Sequence, residues 1–317
     1  MFLSECSTNS IKQAAQSIAA GHLVAFPTET VYGLGADATN ESAVAKIYQA
    51  KGRPSDHPLI VHIASMGAIG DWTSEVSSYA INLARDFWPG PMTLIFRRSE
   101  LAEDFITGNQ ETVALRVPNQ PVALALLKEF EKLGGRGIAA PSANRFGALS
   151  PTTAQAVKDE LANYLDPKND LILDGGPCQV GVESTIIDCT TNAPQILRLG
   201  AITREMIQES TGLLVLEDEP TRIRVSGSLE SHYSPNATVL LDVLAQSGEG
   251  FIAMDSIQTP AGAIRLASPS SIESFARELY AALRFADAQS LAKVCVIQPE
   301  GRGLAAAIRD RLKRAAN

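Results

Sequence analysis

The segment between residues 26 and 62 places hydroxyls, a lysine, an arginine and a histidine at expected turns and strand edges. Within it, the segment PTETVYGLG (residues 27–35) follows a short apolar run and combines two threonines, a glutamate and a tyrosine with two glycines. Glycine allows the backbone to approach a ligand closely, and the polar side chains supply hydrogen-bond donors and acceptors. The segment can therefore wrap a polar ligand. The alternative is a strand-to-loop junction whose hydroxyls satisfy local backbone groups.

Two cations follow, at the end of the next predicted helix. Lys51 and Arg53 stand in the sequence KGRP, directly after a helical pattern over residues 41–50. Cations at a helix C-terminus also suit the helix macrodipole, so a structural role is one interpretation. The other is anion binding, in which Arg53 grips a phosphate with two donors while Lys51 acts as a mobile point charge.

Two predicted strands each carry one polar side chain among apolar ones. In PLIVHI, strand alternation places His62 on the face opposite Val61 and Ile63, where a satisfied core histidine is the alternative to a ligand contact. In TVALRVP, Arg116 must find an anion or emerge at an edge, because an unpaired buried arginine is costly. Its partner could be a structural carboxylate, such as Asp188 or Glu183, or a ligand.

Serine-containing turns follow two further strands. The tetrapeptide PSAN (residues 141–144) comes after the strand GIAA, and Ser150 stands just before the next helix. The free N–H groups of a helix start can cradle phosphate oxygens. An ordinary N-cap is the alternative interpretation of Ser150. Farther on, ESTIID (residues 183–188) precedes Arg198 in the sequence ILRLG, and either could be routine strand sequence.

Helical and strand patterns alternate through the first two hundred residues, which predicts an α/β or α+β domain built on one large sheet. We expect helices near residues 10–20, 41–50, 77–87, 121–133, 152–165 and 203–211. Strands are expected to begin at Leu23, Pro58, Met92, Thr112, Gly137, Leu171, Ser184 and Gln195. We predict a catalytic domain over residues 1–216, a linker over residues 217–236 and a small α/β domain over residues 237–317.

The small domain is expected to contain strands from Thr238, Gly250, Ala263 and Lys293. A capping box at Ser270 and Glu273 should open one helix, and a last helix should run over residues 304–315. The chain lacks the phosphate-loop and dinucleotide-binding fingerprints, a nucleophile elbow and an H-E-x-x-H motif. Covalent catalysis and a protein-built metal site are therefore not expected.

Composition narrows the function classes. With 27 basic and 35 acidic residues the net charge is −8, which disfavours an extended nucleic-acid-binding surface but allows a local basic cleft for an anionic ligand. Hydrophobic residues make up 45% of the chain, yet no apolar run is long enough to span a bilayer. The start of the chain lacks a signal-peptide pattern, and the four cysteines form no C-x-x-C pair. We predict a cytoplasmic protein with no membrane contact.

Taken together, the segment from Phe26 to His62, PSAN, ESTIID and the sequence HYSP (residues 232–235) closely resemble the YrdC/Sua5 family over essentially the whole chain. The resemblance implies a YrdC-like α/β domain with a large twisted mixed sheet and a small Rossmann-like C-terminal domain. It also implies a nucleotidyltransferase that makes threonylcarbamoyl-adenylate from L-threonine, bicarbonate or CO₂, and ATP. That product serves the t6A37 modification of tRNA, through downstream threonylcarbamoyl-transfer proteins.

The resemblance assigns roles to individual positions. Lys51 and Arg53 are expected to be catalytic and to face the nucleotide phosphates. Expected threonine contacts are Thr30, His62, Arg116, Ala140 and Ser184. Expected ATP contacts, besides Lys51 and Arg53, are His57, Thr112, Ser142, Asn144, Ser150, Arg198, His232 and Tyr233.

The family resemblance also predicts Mg²⁺, held mainly by the ATP phosphates and water. In two-domain members the linker folds over the active site, so we expect a lid here; this chain has SGSL (residues 226–229) where some relatives have P-G-M-K. A monomer is expected, and direct tRNA contact is possible but not required. Two alternatives stay open: an RNA-binding or ribosome-maturation module, and carbamoyl transfer as in hydrogenase maturation. The chain lacks the acylphosphatase domain and Cys-rich fingers that the latter carries.

Overall fold

The computed structural model describes residues 3–216, 221–227 and 233–317. The predicted linker is therefore described only in part. The predicted ATP contact His232 lies outside the described residues.

Eleven strands form one mixed sheet in the first domain. In the order β1-β9-β2-β3-β8-β4-β7-β6-β10-β11, with β5 added beside β6, the sheet combines parallel and antiparallel pairs. The strands are β1 (Leu3–Glu5), β2 (Val24–Phe26), β3 (Gly33–Asp37), β4 (Ile60–His62), β5 (Thr73–Glu75), β6 (Met92–Arg98), β7 (Thr112–Arg116), β8 (Ile138–Ala139), β9 (Leu171–Asp174), β10 (Thr185–Asp188) and β11 (Gln195–Arg198). The expected large mixed sheet is confirmed.

Helices cover this sheet, and most begin at a side-chain cap that the local sequence supplies. Asn40 accepts a hydrogen bond from the Ala43 amide at the start of α2, and Gly52 ends the same helix in the left-handed conformation. The helices are α1 (Thr8–Ala19), α2 (Glu41–Lys51), α3 (Ile69–Trp72), α4 (Ser78–Phe87), α5 (Asp104–Thr107), α6 (Pro121–Lys132), α7 (Ala154–Leu161) and α8 (Arg204–Thr211), with 3-10 turns at Met66–Ala68 and Ala162–Tyr164.

Strand β3 was not expected from the sequence, where its residues read as part of a polar turn. It pairs antiparallel with both β2 and β8. A Cβ on Gly35 would lie 2.7 Å from Ile138 Cγ2 and 2.7 Å from Phe26 Cε1, so only glycine fits between these neighbours. The glycines that suggest a turn here serve close packing inside the sheet.

A second, wholly parallel sheet forms the C-terminal domain in the order β12-β15-β13-β14. Its elements are β12 (Thr238–Leu241), β13 (Gly250–Ile252), β14 (Ile264–Ala267), α9 (Ile272–Ala288), β15 (Lys293–Val296) and α10 (Leu304–Ala315). The parallel pairing, with β14 joined to β15 through helix α9, confirms the expected α/β class. The predicted capping box at Ser270 and Glu273 is wrong by one residue: Ser271 caps α9, and its reciprocal partner is Ser274.

The apolar cores of the two domains meet. Val31, Leu149 and Val182 of the first domain lie in the same buried cluster as the side chains of α9 and α10. No helix in the described residues combines the length and apolar character needed to cross a membrane.

Candidate active site

Adjacent parallel strands bring the two unusual strand residues together. In the pairing of β4 with β7, His62 stands in register with Arg116. Their side chains are 3% and 4% exposed, respectively. The loop between β2 and β3 adds Thr28 and Thr30, whose hydroxyls lie 2.8 Å apart. Three segments distant in sequence thus form one polar wall inside an apolar sheet.

Arg116 has a structural partner that the sequence did not predict. Its Nη2 lies 2.7 Å from Glu29 Oε1, and its Nη1 donates to Thr30 Oγ1 at 2.9 Å. The structural carboxylate that pairs with it is thus Glu29, and neither of the two examples considered from the sequence, Asp188 and Glu183, is its ion-pair partner. The loop after β2 brings Glu29 to the end of β7, and the resulting ion pair neutralises a guanidinium that would otherwise be buried alone.

His62 is a neutral group at this site. Burial, together with the nearby charge of Arg116, lowers its pKa to about 3. Its Nδ1 is buried and has no hydrogen-bond partner among the described residues. A neutral imidazole with an open nitrogen can exchange a hydrogen bond with a ligand without adding charge.

Two further arginines line the opposite side. Arg53 donates to Pro58 O at 3.0 Å and to Ser226 Oγ at 3.1 Å. Arg198 donates to Ser184 O from both Nε and Nη2, and to Ser226 O from Nη1 at 2.9 Å. Burial lowers the pKa of both, that of Arg53 to about 10. In the described parts of the chain, neither has a carboxylate within ion-pair distance.

Lys51 is held in place and is not the mobile charge that the sequence predicts. Its Nζ donates to Ser142 O at 2.6 Å and to Asn144 O at 2.5 Å. Burial and, secondarily, the charge of Arg53 hold the pKa of Lys51 well below its usual range. The lysine joins the end of α2 to the PSAN turn, which explains why an 11-residue helix ends in a buried cation.

The loop after β8 completes the pocket. Asn144 donates to Arg145 O and Ala148 O, while its Oδ1 is buried and without a partner in the described chain. Ser150 donates to Glu183 Oε1 at 2.6 Å. Ser150 is therefore not the helix N-cap that was the alternative interpretation; Thr153 caps α7.

One pocket, partly open to solvent, joins these walls. All five predicted threonine contacts line it, as do four of the predicted ATP contacts: Thr30, His62, Arg116, Ala140 and Ser184, with Arg53, Ser142, Arg198 and Tyr233. Lys51, Asn144 and Ser150 stand behind this lining. The structure brings these predicted residues together; their roles stay predictions.

Two predicted ATP contacts lie away from this cavity. His57 is half-buried, and its ring packs edge-on against Phe146 with centroids 5.3 Å apart. Thr112 lines a separate small apolar cavity, which is covered by Ile223 and Val225 of the linker. If either residue contacts ATP, the nucleotide must extend beyond the main pocket.

Reasoning from sequence missed three contributors. Glu29 lies inside the segment PTETVYGLG, and its burial follows only from the pairing with Arg116. Ser226 bonds to both Arg53 and Arg198, although a serine among linker residues gives no recognisable signal. Glu183 accepts hydrogen bonds from Tyr280 and Arg311 of the second domain, and no local sequence pattern could reveal these contacts.

The described side chains around the pocket do not form a coordination site for the expected Mg²⁺. The carboxylates that adjoin the pocket, Glu29 and Glu183, each pair with a buried arginine. Within residues 3–216, 221–227 and 233–317, no group of three or more His, Cys, Asp or Glu side chains is placed to hold a metal ion. These donors do not fit a dedicated Mg²⁺ site, so no step below is derived through the metal.

Fold and pocket together define a two-domain α/β protein with a largely buried pocket that is lined by three arginines, Arg53, Arg116 and Arg198. The family model described as "Telomere recombination" (Sua5, YciO and YrdC) matches residues 16–200, and the model "Threonylcarbamoyl-AMP synthase, C-terminal domain" matches residues 202–317.

Threonylcarbamoyl-AMP synthase of Pyrococcus abyssi is 38% identical over 325 residues, covering 96% of this chain and 93% of that protein. The Bacillus subtilis protein of the same name is 45% identical over 244 residues, covering 75% and 68%. A crystal structure of P. abyssi Sua5 complexed with L-threonine superposes with a TM-score of 0.88 at 36% identity, covering 99% of this chain and 96% of that one. The chain belongs to the Sua5/YciO/YrdC family, in its two-domain form.

Proposed function

We propose that this chain is an L-threonylcarbamoyladenylate synthase. It would join L-threonine, bicarbonate or CO₂, and ATP into threonylcarbamoyl-adenylate and pyrophosphate, with water also formed when bicarbonate is the carbon donor. The product would serve the t6A37 modification of tRNA. The names of the relatives and the threonine complex of P. abyssi Sua5 support this assignment. In this structure, the observation that carries the proposal is the burial of Arg53 and Arg198 in the pocket wall.

These two arginines are each 7% exposed and have no carboxylate partner in the described residues. Leaving buried guanidinium groups without an anion is costly, so the pocket is poised to receive negative charge from a ligand. The phosphates of ATP supply that charge. In the present arrangement Ser226 occupies donors on both arginines, and phosphate oxygens would replace its two oxygens.

The other end of the pocket suits an amino acid. The guanidinium of Arg116 can bind the threonine carboxylate, with Glu29 holding it from behind and Thr30 beside it. Neutral His62 adds a hydrogen-bonding nitrogen without further positive charge. Ser184, whose hydroxyl lies 2.7 Å from Thr93 Oγ1, completes this end.

The chemistry that follows needs no covalent enzyme intermediate. The threonine amine attacks the carbon of bicarbonate or CO₂ and loses a proton, giving a carbamate, with water leaving when bicarbonate reacts. A carbamate oxygen then attacks the α-phosphorus of ATP, and the bond to the departing pyrophosphate breaks. The carbamate, ATP and pyrophosphate are all anionic, so the chain's contribution is positioning and charge neutralisation by Arg53, Arg116 and Arg198.

Mass spectrometry of the product tests the proposal. With carbon-labelled bicarbonate, we expect an adenylate that contains threonine and the labelled carbon. Arg198→Met should abolish it, whereas Arg98→Met, which alters a half-buried arginine paired with the exposed carboxylates of Asp104 and Glu111, should not. An adenylate of threonine without the labelled carbon, or no adenylate at all, would contradict the assignment. Mg²⁺ delivered with ATP, transfer to tRNA through downstream proteins, a monomeric state and a cytoplasmic location stay predictions.

A further inference from the structure

The carboxylate of Glu183 forms part of the pocket wall and is bonded mainly by the C-terminal domain. Arg311 on α10 donates from Nε to Oε2 at 2.8 Å. Tyr280 on α9 lies 3.2 Å from each carboxylate oxygen. Among the described residues, Ser150 is the one first-domain side chain that donates to this carboxylate, at 2.6 Å. The residue after Glu183 is Ser184, a predicted threonine contact. Its backbone carbonyl also accepts hydrogen bonds from Arg198.

The backbone just before Glu183 in the sequence passes very close to helix α9 of the second domain. Gly181 has φ +86°, and a Cβ there would lie 2.3 Å from Ala276 O on α9. The next residue, Val182, is fully buried in the core cluster of the second domain. Helix α9 therefore lies directly on the segment that carries the pocket residues, without room for a side chain at position 181.

Charge holds the arrangement together. Burial alone would raise the pKa of Glu183, but the charges of Arg311 and Arg198 outweigh it and lower the pKa to about 2. Arg311 is 1% exposed, and its Nη2 also donates to Leu199 O, next to Arg198. Arg311 of the second domain thus connects two first-domain segments that reach the pocket, one at Glu183 and the other at Leu199, next to Arg198.

The same two side chains support a residue of the linker. The ring of Tyr233 lies 5.7 Å from that of Tyr280, and the Arg311 guanidinium carbon is 5.4 Å from the centroid of the Tyr233 ring. Tyr233 lines the pocket and adopts φ +63°, a conformation that needs support from its surroundings.

We propose that Arg311 and Tyr280 of the C-terminal domain are positioning residues of the active site. They fix Glu183 and Tyr233, and through Glu183 they set the positions of Ser150 and Ser184. The C-terminal domain is then a structural part of the substrate site. This inference rests on the proposed function, since the substrates used to test it are those of the synthase reaction.

Conservative variants of the full chain distinguish a role in positioning the pocket residues from a role that only holds the two domains together. Tyr280→Phe removes one hydroxyl and keeps the ring packed on Tyr233. Arg311→Lys keeps the charge, whereas Arg311→Met removes it. The matched control is Glu160→Gln, which breaks the ion pair of Glu160 with Arg284, 2.8 Å long and also between the domains.

We expect Tyr280→Phe to raise KM for threonine or ATP at least threefold in pyrophosphate release, with Tm within about 3 °C of the parent. Arg311→Met should lower kcat/KM at least thirtyfold, and Arg311→Lys should recover at least threefold of that loss. Glu160→Gln should leave both KM values unchanged. The inference is overturned if Tyr280→Phe behaves like Glu160→Gln, or if Arg311→Lys recovers nothing relative to Arg311→Met.

Calorimetric titration with threonine distinguishes failure of this inference from failure of the proposed function. If the parent binds threonine but forms no adenylate, the synthase assignment fails. A threefold weaker threonine affinity in Tyr280→Phe than in Glu160→Gln would still support positioning, and equal affinities would overturn it. A parent that binds neither threonine nor ATP overturns both.

Discussion

Replacing Glu29 by glutamine isolates the charge that holds Arg116. Both side chains are buried, and the ion pair spans 2.7 Å. Removing one partner of such a pair costs about 3–5 kcal/mol. Two neutral acceptors remain on the guanidinium, Thr30 Oγ1 at 2.9 Å and Gly90 O at 3.3 Å, so we expect the lower end, about 3 kcal/mol. At about 2 °C per kcal/mol for a chain of this size, Tm should fall by about 6 °C.

Threonine should restore part of this loss. In the variant, a bound carboxylate is the anion that Arg116 lacks, so saturating threonine should raise Tm more than it does in the parent. Scanning calorimetry with and without threonine measures both effects. The control is Glu111→Gln. The Glu111 side chain is 83% exposed and pairs with Arg98, so losing this ion pair should cost less than about 1 kcal/mol of stability. An unchanged Tm, or equal threonine shifts in Glu29→Gln and the parent, would refute the reasoning.

The remaining predictions concern single side chains. Because the pKa of His62 is about 3, threonine affinity measured by calorimetry between pH 5.5 and 8 should show no histidine step; a midpoint near 6.5 that His62→Gln removes would contradict this. Ser226→Ala should change KM for ATP less than about threefold, since phosphate oxygens replace Ser226, whereas Arg53→Met should raise it tenfold or more; equal effects would place the phosphates elsewhere. Lys51→Met should lower the free energy of unfolding by about 2–4 kcal/mol in urea titrations, because two buried carbonyls lose their hydrogen-bond donor, and a parent-like value would show that the lysine is not structural. The pKa of Glu183 is depressed on folding, so its stabilisation is complete above about pH 5 and lost as pH falls toward 2; Glu183→Gln should flatten the acid unfolding curve in that window, and an unaltered slope would count against the buried ion pair.

Much of the fold could be predicted because periodicity and caps are local signals. The six longer helices of the first domain begin and end close to their expected bounds, and α10 matches residues 304–315. Strand β3 could not be predicted, because its glycines are explained by neighbours on β2 and β8 that are far away in the sequence. The capping box of α9 was misplaced because a run of serines offers several equivalent caps.

The site shows a similar division. Motif resemblance selected residues that the fold brings to one cavity, among them Arg53, Arg116 and Arg198. What it could not give is how these cations are compensated. Lys51 reads as a phosphate-facing cation, yet tertiary packing buries it against two carbonyls. The partners of Arg116 and Glu183 depend on contacts between distant segments, and such contacts leave no local pattern in the sequence.

Pyrophosphate release from ATP tests the central claim most directly. The full chain would be assayed with threonine and bicarbonate each present or omitted, alongside the Arg198→Met variant. The synthase assignment predicts release only when both substrates are present, and little or none in the variant, because the buried guanidinium that neutralises the phosphates is gone. Release that needs neither substrate, or none from a well-folded parent, would contradict the assignment and favour RNA binding or another acyl acceptor.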